Sequence, residues 1–319
     1  MHKGLKPGTW DVLAPLSNGD FVRLWLSNGL WWQAMWMEMM VLGWLALELT
    51  DSPWWVQVIG FYRSIPLLLI GLLGSAITDR FQRRHLVLTL QAANVVAALS
   101  LALLLWSGNL KFWHLSVVAL AMGSTWALDW PTRRSMIPDL VGKAHTVDAM
   151  VLENFIQGFT RISGPLAAGY IMAVYGNLGA LIILVGLGLL SLLSLSGLKT
   201  DSKAPIKSIG ISAAWTEMRQ GWIYIRESAP ILGVFLITIF MNIWAFPYMN
   251  LLPVFARDIF EQGPEGMGWL GAANGVGAFI GLGVIHLGRR KLSNELLFIL
   301  GSLISSMGGR YNSPALINE

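Results

Sequence analysis

Cysteine is missing from all 319 residues. That excludes a disulfide framework, a thiolate metal site and a thiol nucleophile. Charge is scarce as well: Asp, Glu, Lys and Arg make up 13% of the chain against 55% hydrophobic residues. A soluble domain carries roughly a quarter charged residues. Half that share, with a mean hydropathy of +0.58, places the chain in lipid. No Gly-x-x-x-x-Gly-Lys-Ser/Thr loop occurs. Gly142-Lys143-Ala144 fails at Ala144 and lacks the earlier glycine, so nothing points to ATP. The five histidines, His2, His85, His114, His145 and His286, lie near the ends of apolar runs with no i, i+4 pair. No metal site, no cofactor and no enzyme activity are implied. The net charge of +4 reads as basic loops at one membrane face, not as a nucleic-acid surface.

What the chain does have is a charged knot between two long apolar runs. Residues 74–85 read Gly-Ser-Ala-Ile-Thr-Asp-Arg-Phe-Gln-Arg-Arg-His, with Asp79, Arg80, Arg83 and Arg84 inside six positions. About 20 apolar residues suffice for a helix to cross a bilayer, so the knot reads as a tight loop between two spans. Its arginines mark that face as cytoplasmic. Nine spans are expected, near 22–50, 54–78, 85–107, 113–135, 147–174, 178–198, 230–255, 266–287 and 292–308. Turn chemistry separates them at Asp51-Ser52-Pro53, Ser107-Gly108-Asn109, Tyr175-Gly176-Asn177 and Gln262-Gly263-Pro264. With the N-terminus inside, only Lys111, Arg257 and Arg310 of the 22 Lys and Arg fall outside, and only Arg63 and Arg161 fall within spans. That asymmetry supports a multi-pass protein of the inner (plasma) membrane with its N-terminus in the cytoplasm.

Four regions follow. Residues 1–198 hold six spans. Residues 199–229 are a polar linker in which Trp215, Met218, Trp222 and Ile225 recur at helical spacing, as in an amphipathic helix lying on the inner surface; a solvated hinge with a short packing helix is the plainer reading. Residues 230–308 hold three spans, and 309–319 are a polar tail. Arg83-Arg84 and Arg289-Arg290 each follow a Gly-rich span, which suggests a parallel repeat of six helices, a transporter architecture, with the second copy stopping halfway.

Charges inside spans are costly unless paired or wet. Glu38 and Arg63 sit at similar depth in the first two spans; they form either a proton- or substrate-binding pair or a structural ion pair. Asp129 and Arg133 are four apart near the inner end of the fourth span, suited to an i, i+4 pair in a cytoplasmic gate, with proton relay by Asp129 the sharper idea. Glu153 lies at comparable depth in the fifth. Arg161 lies mid-depth, free to meet an anionic substrate or Glu38 or to pair structurally. Gly164-Pro165 reads as a kink that lets helices pack closely. Trp31 and Trp36, with Asn28 and Gln33 among them, are too deep for an interfacial belt and line an aromatic cavity or serve as filler. Asn242, Trp244, Phe246 and Tyr248 offer a matching wall, where Pro247 breaks the helix and frees carbonyls for a ligand.

The loop Asp79-Arg80-Phe81-Gln82-Arg83-Arg84 resembles the signature between helices two and three of the major facilitator superfamily. Ser75 stands where the family usually has Gly, and Gln82 replaces another. Trp130-Pro131-Thr132-Arg133-Arg134 with Ser135-Met136-Ile137-Pro138-Asp139-Leu140 resembles the branch of enterobactin-type exporters and macrolide-type efflux proteins. Residues 161–169, Arg-Ile-Ser-Gly-Pro-Leu-Ala-Ala-Gly, resemble the exporters' fifth-helix motif, and 47–53 also fit that branch. The resemblance implies an all-α membrane protein, a helical bundle with a six-helix N-terminal lobe and an incomplete, three-helix C-terminal lobe. It implies a secondary exporter of a small amphipathic molecule, siderophore- or drug-like, with protons and membrane lipid as partners and without ATP. The family has twelve helices, and the helix against which the Asp79 loop locks finds no counterpart. The frequent fourth-helix Arg is also absent from Leu120-Ala-Met-Gly-Ser-Thr-Trp126. A truncated, non-transporting fragment or assembly partner is the alternative.

Overall fold

A computed structural model describes residues 11–71, 81–199, 211–240 and 246–288, all of them helix or short connections, with no strand among the described residues. The expected span 292–308 lies outside them. So do Asp79, Arg80, Asn242, Trp244, Arg289 and Arg290.

Helix α1 spans Gly19–Thr50. Asn18 caps it by accepting from the Asp20 and Phe21 amides at 2.9 and 3.1 Å. It ends where Asp51 turns left-handed at φ 49°, and Pro53 opens α2, Pro53–Gly71, with its fixed φ and missing amide. Helix α3 is Arg83–Trp106. Helix α4 runs through Phe112–Ser196, but Gly142 (φ 73°) and Gly176 (φ 69°) break its path. Both need a left-handed φ that glycine adopts without steric cost. They divide α4 into limbs 112–141, 143–175 and 177–196. After a polar stretch come α5, Ile211–Glu227, and α6, Ala229–Phe240, which meet at a bend of 111°.

Cross-chain contacts order these pieces end to end. At one end Asn18 donates to the Leu140 carbonyl (2.7 Å), Arg23 to that of Gly197 (2.6 Å) and Arg84 to that of Ser196 (2.9 Å). At the other, Asn177 donates to Glu48 (2.5 Å) and Trp55 packs edge-on to Phe112. The chain therefore reverses at Asp51, Gly108, Gly142 and Gly176, with Arg23 and Arg84 at the first end.

The span expected over 230–255 is not one helix. Beyond α6, a 3-10 turn, Phe246–Met249, leads into Leu252–Val254 and a single π turn, Phe255–Ile259. Pro247 and Pro253 break the ladder. The carbonyl that Pro247's missing amide frees is that of Ile243, which lies outside the described residues; the carbonyl of Pro247 itself accepts from Gln57 Nε2 at 2.8 Å and from the Asn250 amide at 3.1 Å. Helix α7, Pro264–Gly288, then packs along the second limb of α4.

Large apolar side chains such as Phe61, Leu68, Leu103, Phe155 and Leu193 face outward while Ser27, Asn28, Asp129 and Arg133 are buried. This inside-out pattern suits lipid as the outer solvent. Helices α3 and α4 are long and apolar enough to cross a bilayer. Lipid gives no hydrophobic drive between helices, so close packing through small residues holds them. The α4–α7 seam shows this. Gly271 stands over Pro165, and a Cβ on Gly169 would lie 2.6 Å from the Pro264 carbonyl oxygen and 2.8 Å from Gly268 Cα. Backbone on both sides cannot yield. Gly169→Ala is therefore expected to cost about 1–3 kcal/mol, read as a lowered thermal midpoint in detergent. Gly186→Ala, where a Cβ meets nothing within 4 Å, leaves the midpoint unchanged.

Candidate functional site

Going up α1 from the basic end, an apolar layer around Phe21, Leu24, Met136 and Leu152 comes first. A polar layer at Ser27 and Asn28 follows, then Trp31, Trp32 and Met35, and finally the large cluster from Met37 to Leu47. The chemistry sits in the polar layer and just above it.

Arg133 centres the polar layer. Its Nε donates to Asp129 Oδ1 at 2.9 Å, Nη1 to Ser27 Oγ at 3.0 Å and Asn28 Oδ1 at 3.1 Å, and Nη2 to Gln91 Oε1 at 3.0 Å. Its guanidinium also lies 5.3 Å from the Trp31 ring centroid. Asn28 Nδ2 donates to Glu153 Oε2 (2.9 Å), Trp32 Nε1 to Glu153 Oε1 (3.2 Å), and Ser27 pairs with Ser191 at 2.8 Å. One cation thus joins α1, α3 and all three limbs of α4. Asp129 is 0% and Arg133 2% exposed, so the pair is locked inside the bundle. Nearer the surface of the basic end, Arg83 pairs with Asp139 at 2.7 Å and donates to the Ser135 carbonyl.

About three turns further along α1, Glu38 and Arg63 meet at 3.2 Å, each side chain 12% exposed. Arg63 lies over Trp126, 5.6 Å from its centroid. Beside the pair is a cavity of about 40 Å³ lined by Trp31, Glu38, Arg63, Gln91, Asn94 and Trp126, among others. That is room for a few waters, next to a carboxylate at mid-depth.

Arg161 does not reach Glu38. Its Nη2 donates to Asn274 Oδ1 on α7 at 2.8 Å, and its guanidinium stacks over Trp36 at 5.5 Å. Gln33 accepts from Ser163 Oγ at 2.7 Å. Trp36, expected either to line a cavity with Trp31 or to act as packed filler, packs against Gly164, whose missing Cβ admits it. The backbone at Gly164 and Pro165 stays helical, the only non-helical angles within α4 being those of Gly142 and Gly176.

Sequence reasoning passed over Gln91, Asn94 and Asn274. The first two are amides three apart in an otherwise apolar span, hence on one face, and that was a usable signal. Asn274 stands among glycines and apolar residues in α7, where a lone amide has no periodic partner to draw the eye.

At the end opposite the basic one, Arg257 Nη2 reaches Asp51 (2.6 Å) and its Nε reaches Asp258 (2.5 Å), tying the π turn to the tip of α1. The hydrogen bond to Asp258, with the one to Asp51 behind it, pushes the guanidinium up from its ordinary value. This cluster is exposed, so Arg257→Ala is expected to cost no more than about 1 kcal/mol in thermal unfolding.

Apolar helices wrapped around paired charges and a mid-depth polar cavity are the build of a membrane transporter. The chain belongs to the transmembrane secretion effector family of major facilitator transporters, whose pattern matches residues 10–307. It is 28% identical over 141 residues to the staphyloferrin A transporter of Staphylococcus aureus, covering 44% of this chain and 36% of that protein. It is 22% identical over 277 residues to the uncharacterized MFS-type transporter YfiS of Bacillus subtilis, covering 84% of this chain and 64% of that protein. The chain thus spans less than two thirds of the length of either relative. These are transporters, not enzymes.

Proposed function

We propose that the protein is a secondary carrier that exports a small amphipathic solute of siderophore or drug type in exchange for protons. Two helical halves, 1–198 and 230–308, joined by the 199–229 linker, rock about a midplane site. The observation that carries the reading is the Glu38–Arg63 pair beside a water-sized cavity. A carboxylate at that depth reaches water while its alternative partner is a cation. Protonation of Glu38 breaks the ion pair and leaves Arg63 over Trp126, and the state that binds the proton better is favoured by that differential affinity. Gln33, Trp36, Arg161 and Asn242 are assigned to the solute's path. Asp79, Arg80, Arg83, Arg84, Arg289 and Arg290 are assigned to the cytoplasmic gate, with the Asp129–Arg133 pair anchoring it from inside. The gathering of Arg23, Arg83 and Arg84 at one end supports a cytoplasmic N-terminus in the plasma membrane. The motif resemblance and the family's description as a secretion effector favour export, and the staphyloferrin A transporter favours a siderophore-type solute.

The test is transport by the purified chain in proteoliposomes, with staphyloferrin A and a lipophilic dye as probes. Counterflow of either, and net movement driven by an imposed pH gradient, are expected. Movement of neither under either condition overturns the reading.

A further inference from the structure

Three arginines are set into the bundle among the described residues, and each lies over a tryptophan: Arg133 on Trp31, Arg63 on Trp126 and Arg161 on Trp36. Two are neutralised by a carboxylate, Asp129 at 2.9 Å and Glu38 at 3.2 Å. Arg161 is not. No Asp or Glu among the described residues comes within ion-pair distance of it, and its neutral partner Asn274 takes only Nη2. Its Nε is buried without a hydrogen-bond partner, and so is the indole Nε1 of Trp36 beneath it. Asn274 in turn donates to the Tyr248 hydroxyl. Among the described residues the surroundings of Arg161 are thus an amide, a hydroxyl and an indole N–H. An unpaired cation inside a membrane bundle is costly and is retained where something anionic visits it.

We infer that Arg161 is the anchor of an anion subsite that takes a carboxylate, or an oxyanion of similar shape, on the transported solute. The inference rests on the carrier reading and names the solute's charged group. A guanidinium presents parallel N–H donors that match the two oxygens of a carboxylate. Trp36 supplies a flat apolar face beside the charge, so the fitting ligand joins a carboxylate to an aromatic or other flat apolar body. The subsite is shared: Arg161 and Trp36 come from the first half of the chain, Asn274 and Tyr248 from the second. An anion held there pulls on both halves at once, which links its binding to their relative position.

The experiment compares 2-naphthoate with its uncharged amide, 2-naphthamide, by calorimetric titration of the full purified chain and of Arg161→Gln and Arg161→Lys. Naphthoate is expected to bind the unaltered chain at least tenfold more tightly than naphthamide. Arg161→Gln abolishes that preference and Arg161→Lys keeps part of it. A structural arginine gives a different result, because its removal lowers the thermal midpoint; here Arg161→Gln leaves the midpoint unchanged or raises it. Equal affinity of naphthoate for the unaltered chain and for Arg161→Gln overturns the inference. So does a naphthamide affinity equal to that of naphthoate in the unaltered chain. Movement of the lipophilic dye down a pH gradient by the unaltered chain separates the two readings. Dye transport without an Arg161-dependent anion preference removes the subsite alone, and anion preference without any transport removes the carrier reading alone.

Discussion

Arg133→Met is expected to lower the stability of the bundle by about 3–5 kcal/mol, the cost of breaking a buried ion pair from one side. Asp129 is wholly buried and its Oδ2 already lacks a partner. Without the guanidinium its other oxygen loses its donor too, and the carboxylate is left charged in an apolar interior. Ser27, Asn28 and Gln91 lose a donor in the same step. Asn28 is also what holds Glu153 Oε2, so the loosening spreads to the second limb of α4. The midpoint of thermal unfolding in detergent, followed by tryptophan fluorescence, checks it. Arg133→Met combined with Asp129→Leu removes both charges and is expected to recover part of the loss, since replacing a whole buried pair with apolar groups is often close to neutral. A double variant no more stable than Arg133→Met would mean that the hydrogen bonds, not the charges, dominate.

Glu38→Gln is expected to act on transport instead of folding. The substitution keeps shape and removes the group that takes up a proton. Arg63 keeps Trp126 beneath it and water-sized space beside it, so its charge is less stranded than that of Asp129 above. Net transport driven by a pH gradient is expected to fall at least about tenfold, equivalent to ~1.4 kcal/mol of barrier. Counterflow of solute at equal pH, which moves no net proton, persists. Gradient-driven transport equal to that of the unaltered protein removes Glu38 from the coupling role.

Much of the fold was legible because lipid imposes a coarse rule. Apolar runs of about 20 residues must become helices, and Asp51-Ser52-Pro53, Ser107-Gly108-Asn109 and Tyr175-Gly176-Asn177 end them where left-handed Asp51, Gly108 and Gly176 sit. The break within the 230–255 run was legible at Pro247, which cannot donate to the helical ladder; the 3-10 and π turns that follow it were not, because hydropathy counts apolar residues and ignores how Pro253 disrupts the ladder again. Depth along a helix is readable from spacing alone, which is how Glu38 was placed level with Arg63 and Asp129 one turn from Arg133. The facing of a helix toward a particular neighbour is not. Arg161 lies at a depth suited to Glu38 but points across to Asn274, and the contact of Trp36 with Gly164 needed the structure to choose between filler and cavity wall. Gln91 carries the network from α3 to Arg133, and only the packing of five traverses around one guanidinium reveals it.

The account's central claim is that two halves of the chain move against each other about a site holding Glu38, Arg63 and Arg161. Because the protein has no cysteine, spin labels on Ser52→Cys and Gln262→Cys report alone across the end where Arg257 meets Asp51. Distance measurements between them by pulsed electron paramagnetic resonance in lipid are expected to show two populations whose balance shifts between neutral and acid pH, and to lose that shift in Glu38→Gln. A single distance, unmoved by pH and solute, would contradict the claim.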